Sequence, residues 1–363
     1  MIAGRVVSSV VQRQVHHVTP VAPADAVGLV AMVYEQVADE MRLVVPPALL
    51  HSPAPETLAA YWVLSREPLI GAHGDARVTK EAVAAAVSVA NICPYCVDMH
   101  SAGMYDLTSA QDAEAIAGDR VEEITDPKLR AVSAWARTLH QPDDRAPVPD
   151  GTGPAEYAEL LGVAVSYHYV ARMVNVFLAS FLLPPGLGPR SRQRLKRGIG
   201  HVLGPTLREP RRPGRSLNLL TPAPLPADAG WAAGSRRIAD AVARAYAAFE
   251  RAGAHALSPA VRALVTERLS RWRGEDSGLS ARWCEEAIAD LPDADRAAAR
   301  LALLTALASY RVDDEVVDEF RRHHPDDTIL VEAAAWASFA AARQIGARAE
   351  LAPTGADQGA HRS

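Results

Sequence analysis

The sequence predicts an all-α fold on three observations. Apolar residues recur at helical spacing in nearly every periodic segment, no convincing series of alternating strands appears, and alanine and other helix formers are abundant. The chain has 363 residues, 49% of them hydrophobic, 22% charged and 6% aromatic, the composition of an ordinary soluble globular chain. That length exceeds what one core usually serves, so two domains are expected.

The first helix is expected from Ala24 or Asp25 to Met41, with Val45-Pro46-Pro47 as its stop. A second, short helix follows over Thr57 to Leu64, then a loop through His73-Gly74-Asp75. Thr79 suits the N-cap of a helix from Lys80 to about Ile92, which places Glu81 in its first turn. Nearly all Ala and Val, this helix should be buried on most sides. Cys93-Pro94 reads as a fresh start: proline favours the first helical position, so Cys93 falls near the N-cap of a helix running to Tyr105. Two longer amphipathic helices are expected over Asp126 to Leu139 and Pro154 to Leu183, the second carrying His168, Tyr169, Arg172 and Asn175. His168 and Tyr169 read as a helix–helix contact with a satisfied histidine in preference to a pocket wall.

Arg190 to Arg215 holds eight Arg, one Lys and a single acid, Glu209, and six prolines fall between Pro205 and Pro226. The first part reads as a solvated helix, the second as an inter-domain linker. The division is residues 1–200, linker 201–228, and 229–363. Helices are expected again over Ala229–Ala252, Ser258–Trp272, Ser280–Asp290, Asp293–Tyr310, Asp313–His323 and Asp327–Ile345, and their order parallels the first half. That parallel suggests a duplication whose second copy has no cysteine where the pair would fall, near Trp272-Arg273-Gly274-Glu275. The tail from Pro353 to Ser363 is polar and expected to be disordered.

Net charge is −5, which gives no global bias toward nucleic acid or anionic membrane. Met1 to Val21 has no apolar core of a secretory signal, and no apolar run is expected to reach bilayer-spanning length, the longest (Ala82 to Cys93) being interrupted by Ser88 and Asn91. A reducing cytoplasmic compartment is the resulting expectation, and there a C-x-x-C is more often catalytic or metal-binding than a structural disulfide.

Chemistry concentrates in one stretch, Glu81-x11-Cys93-x2-Cys96-x3-His100. Cys96 and His100 are four apart and share a helix face, so an imidazole can take the thiol proton. Cys93 is close enough to close a disulfide. The helix N-terminus favours Cys93 as the ionised sulfur, whereas pairing with His100 favours Cys96, and local physics leaves both open. The same pattern could supply three zinc ligands, with a fourth from Cys284, His16, His17, His323 or His324, but no second C-x-x-C accompanies it. Two core cysteines and a core histidine without chemistry are the remaining reading. Cys284 alone reads as a small packed hydrophobe.

At these residues the sequence resembles the alkyl hydroperoxidase D and carboxymuconolactone decarboxylase superfamily, in its peroxidase-related branch. The four site residues match the hydroperoxidase spacing, and the flanks Asn91-Ile92-Cys93-Pro94-Tyr95-Cys96-Val97-Asp98-Met99-His100-Ser101 and His168-Tyr169-Val170-Ala171-Arg172-Met173-Val174-Asn175 extend the likeness. The resemblance covers residues 25–185. It implies tandem all-α repeats of that type with a degenerate second copy, and assembly of the repeat into trimers or hexamers, so a trimer or dimer of this fused chain. It further implies a peroxidase, of antioxidant peroxiredoxin type, in which Cys96 attacks a small hydroperoxide. Cys93 would form the disulfide, His100 and Glu81 would relay protons, and an external dithiol such as a lipoyl group would act as reductant. No haem, flavin or metal is implied. Tyr95 departs from the histidine that the best-studied hydroperoxidases carry between the cysteines. The alternative within the superfamily is a non-redox decarboxylase or isomerase acting on a small cyclic acid through His100 and Glu81.

Overall fold

Proline sets many of the helix starts in the computed structural model, which describes residues 13–70, 76–183, 186–278 and 280–350. The expected loop at His73-Gly74-Asp75 and the tail from Pro353 lie outside the described residues. Helix α1 is Gly28–Met41, α2 Pro46–His51, α3 Pro55–Leu69, α4 Arg77–Ala90, α5 Pro94–Met104, α6 Ala110–Ala117, α7 Pro127–Thr138, α8 Pro154–Phe177 and α9 Pro189–Arg208. The second half adds α10 Arg236–Ala256, α11 Pro259–Arg271, α12 Arg282–Ile288, α13 Asp293–Ala308, α14 Asp314–Arg321 and α15 Asp327–Glu350. No strand occurs among the described residues beyond one isolated bridge between Val15 and Leu178. The fold is all-α.

Several expected boundaries move for identifiable reasons. Pro46-Pro47 ends α1 but also opens α2, since proline needs no N–H partner in a first turn. Helix α4 starts at Arg77, with Thr79 inside it and Ala76 at the cap, so Thr79 is not the N-cap. Helix α8 stops at Phe177, six residues before the expected Leu183, because Leu178 turns extended to meet Val15. Helix α6, capped by the Ser109 side chain on Asp112 N, is not among the helices expected from the sequence.

Helix α8 also corrects the membrane expectation. It is long and apolar enough to cross a bilayer by length and composition, yet 94% of its most apolar window is buried within the protein. It is a core helix, packed on α3, α4 and α15. Ser338 Oγ on α15 donates to the Tyr169 carbonyl at 2.9 Å, and the Tyr169 ring lies 4.7 Å from Phe249 of α10.

The Pro-rich segment is held by buried charge. Arg66, fully buried on α3, bonds Glu40 and Glu67 at 2.7 Å each and the Arg212 carbonyl at 2.8 Å. Glu67 in turn accepts from Gly214 N at 2.8 Å and Ser216 Oγ at 2.7 Å. Burial pushes the Glu67 carboxyl up, but Arg66 and these donors outweigh it and hold the group below its ordinary value. Breaking such a buried ion network costs about 3–5 kcal/mol per lost partner.

The basic helix α9 is only partly solvated. It lies across α5, the helix that follows Cys93, so closely that a Cβ on Gly200 would sit 2.4 Å from the Ala102 carbonyl oxygen. Lys196 is buried, 3.3 Å from Asp98 on α5, and Arg192 lies 3.4 Å from the same carboxylate.

Candidate active site

Helices α4 and α5 form a hairpin, and its corner makes the site. Asn91 caps α4, Ile92 takes a left-handed φ of 50°, and Cys93 becomes the N-cap of α5 with its N–H on the Ser88 carbonyl at 3.0 Å. A β-branched residue in the left-handed region is unusual and marks a backbone held by its surroundings. Asn175 of α8 supplies part of that hold by donating to the Asn91 carbonyl at 3.0 Å.

Cys93 and Cys96 are free and buried, with their sulfurs 2.8 Å apart. Burial pushes the Cys96 thiol well up, Cys93 beside it adds to the rise, and Ser88 works in the opposite direction. The Cys96 thiol is therefore held in its neutral form and needs a base before its sulfur attacks.

An imidazole lies one helical turn along α5 from Cys96. His100 Nδ1 lies 2.6 Å from Glu81 Oε2, and Arg77 donates to Glu81 Oε1 at 2.7 Å. Burial would raise the Glu81 carboxyl, but Arg77 and His100 together hold it down at about 2. A carboxylate there accepts the Nδ1 proton, which leaves the lone pair of the neutral imidazole on Nε2. Tyr167 packs edge-on against the His100 ring at 4.5 Å. Tyr61, Tyr95 and Tyr167 surround the site as buried phenols, each pushed up chiefly by desolvation and so kept neutral. Tyr95 donates to Gln14 Oε1 at 2.8 Å.

The structure thus brings Cys93 to Cys96, and His100 to Glu81. It does not bond the two pairs to each other: among the described residues no hydrogen bond links His100 to Cys96, although their four-residue spacing puts them on one helix face. Arg77 and Ser88 are not among the site residues expected from the sequence. Arg77 was findable four residues before Glu81, an i,i+4 ion pair. Ser88 had only its place on an otherwise apolar helix to point to it. Among the described residues no three His, Cys, Asp or Glu side chains gather as a metal site. Cys284 is fully buried on α12, its thiol pushed up to about 12 chiefly by desolvation.

The histidine of α8 does not fit the expected satisfied contact. His168 accepts at Nδ1 from Asn91 Nδ2 (2.9 Å), but its buried Nε2 has no partner among the described residues, and the ring lines a cavity. Tyr169, by contrast, is satisfied: its hydroxyl lies 2.6 Å from His51 Nε2.

Comparison with known proteins follows the same hairpin. A model of the carboxymuconolactone decarboxylase family matches residues 57–138, a span that contains Glu81, Cys93, Cys96 and His100. The chain is 40% identical over 332 residues to a protein of Mycobacterium tuberculosis (strain ATCC 25618 / H37Rv) named alkyl hydroperoxide reductase, covering 92% of this chain and 94% of that relative. No solved structure matches.

Proposed function

Since the chain belongs to the carboxymuconolactone decarboxylase family, and its hairpin carries two apposed thiols beside a carboxylate-backed imidazole, we propose that it is a thiol peroxidase reducing small hydroperoxides. The observation that carries this reading is the 2.8 Å separation of two free sulfurs at the start of α5, with His100 one turn on and backed by Glu81 and Arg77 of α4. The relative named alkyl hydroperoxide reductase supports it.

The steps balance as follows. Cys96 loses its proton toward His100 Nε2, directly on a ring shift or through one water, as the hydroperoxide enters. The thiolate attacks the terminal peroxide oxygen, the O–O bond breaks, and the alkoxide leaves as the alcohol with the proton returned by the imidazolium. The sulfenic acid on Cys96 condenses with the Cys93 thiol, which releases water and forms the disulfide. An external dithiol, of which a lipoyl group is one form, reduces that disulfide by exchange. Glu81 keeps the imidazole in the tautomer that accepts at Nε2, and Arg77 keeps Glu81 ionised.

One equivalent of cumene hydroperoxide should remove two titratable thiols and lower the mass of the Cys93–Cys96 peptide by two hydrogens. Cys96→Ser should abolish this turnover, and full activity in that variant would end the proposal. One observation favours the second reading, acid–base catalysis by His100 and Glu81 on a small cyclic acid: the His100 pair forms without any bond to Cys96. Thiols unchanged by hydroperoxide would select it.

A further inference from the structure

Outside the thiol site, a cavity of about 180 Å³ lies between the two halves of the chain. Its wall includes Asn91, His140, His168 and Arg172 from the first half, with Trp272 and Ser309 from the second. Neither cysteine, His100 nor Glu81 lines it.

Two features of this wall are costly for a protein that binds nothing there. Arg172 is 5% exposed, and its hydrogen bonds go only to neutral carbonyls: Nε to Ala306 at 2.9 Å and Nη1 to His168 at 2.6 Å. Among the described residues no carboxylate pairs with it and no hydrogen bond uses Nη2. A buried guanidinium without a counter-charge carries a large desolvation penalty. Arg172 sits beside a second unmet donor. Asn91 Nδ2 donates both to the Val87 carbonyl at 2.7 Å and to His168 Nδ1 at 2.9 Å, so Nδ1 is the acceptor of that ring. Burial keeps His168 neutral, so its proton is on Nε2, the atom left without a partner. A cation with a free N–H and a neighbouring imidazole N–H together match one carboxylate group.

The remaining groups suit the rest of such a molecule. Trp272 and His140 stack with centroids 6.2 Å apart, and Leu307 and Ala308 add apolar surface. The acids at the cavity, Glu275 and Asp276, are exposed and engaged: Glu275 accepts from Arg273 N at 2.7 Å and Asp276 from Tyr310 at 2.8 Å. Arg137 is paired with Asp119 at 2.8 Å. Arg172 is thus the cation left for a ligand.

We propose that this cavity is a binding site for a small organic carboxylate, held by the Arg172 guanidinium and the His168 Nε2–H and seated against Trp272. The site is independent of the cysteine chemistry, and binding is readable without turnover.

The probe is benzoate, titrated into the reduced full-length protein, with inorganic phosphate as the competing anion. Saturable binding by calorimetry is expected, weakened about tenfold or more by Arg172→Gln, the loss typical of a charged hydrogen bond. Because that variant could misfold, the unaltered protein provides a second reading. With ¹⁵N-labelled histidine, benzoate should shift the His168 Nε2 resonance while leaving the His100 signals in place. No saturable binding, equal binding by a folded Arg172→Gln variant, or a response to phosphate alone would each overturn the proposal.

Discussion

At the scale of single residues, the site depends on a carboxylate that burial alone would protonate. Glu81 is held at about 2 because Arg77 and His100 outweigh its desolvation. A group depressed in the folded state contributes stability above its unfolded pKa, near 4.5, and loses it as pH falls through the folded value. The contribution is on the order of 3 kcal/mol and should disappear between about pH 4.5 and 2. Urea unfolding across that window should therefore show a steeper loss of stability in the native chain than in Glu81→Gln. Equal slopes would mean that Glu81 is not the ionised member of the pair. Under the proposed function, Glu81→Gln should also lower peroxide turnover by roughly 10²-fold or more, since the imidazole loses the carboxylate that fixes its tautomer. The pairing of Cys93 with Cys96 and of His100 with Glu81 was legible because both follow from spacing along two consecutive helices. The Arg172–His168 cavity was not, since its walls come from segments more than a hundred residues apart and the signal is a missing partner, which no sequence pattern displays.

Among the elements, the hairpin corner depends on the helix laid over it. Helix α9 approaches α5 at Gly200, where a methyl group would fall 2.4 Å from the Ala102 backbone oxygen, so that α9 must shift to admit it. Gly200→Ala should cost about 1–3 kcal/mol, in spite of alanine's better helix propensity. It should also loosen the Lys196–Asp98 contact that ties α9 to α5. Faster reaction of Cys93 and Cys96 with a thiol reagent, alongside a lowered urea midpoint, is the expected result; a stabilised protein with unchanged thiol reactivity would refute the close packing. The basic run around Lys196 read as solvated from sequence because charge density is visible there and an opposing buried Asp98 is not. Thr79 is a different case. Its hydroxyl suits a cap, but the helix gains an i,i+4 Arg77–Glu81 ion pair by starting earlier, and that local gain outweighs the cap.

For the whole molecule, the question is whether the halves on either side of the Pro-rich segment are separable. Composition alone suggests a linker there, since six prolines in a short run disfavour regular structure. Yet Ser216 is fully buried, Glu67 takes hydrogen bonds from Gly214 and Ser216, and Arg237 of α10 pairs with Glu159 of α8. The longest helices of the two halves, α8 and α15, pack directly together, and the Tyr169 ring meets Phe249 across the same boundary. Cutting the chain after residue 228 would expose the apolar faces of α3 and α8 and leave Glu159 without Arg237. Denaturant unfolding of the intact chain should therefore be one transition, coincident by far-ultraviolet dichroism and tryptophan fluorescence, because neither half retains a closed core once the other has melted. Residues 1–228 expressed alone should lack a cooperative transition, and mixing them with 229–363 should restore it. Two separate transitions in the intact chain, or a cooperatively folded first half with an unchanged thiol site, would show instead that the second half is an appended domain and that the hairpin needs nothing from it.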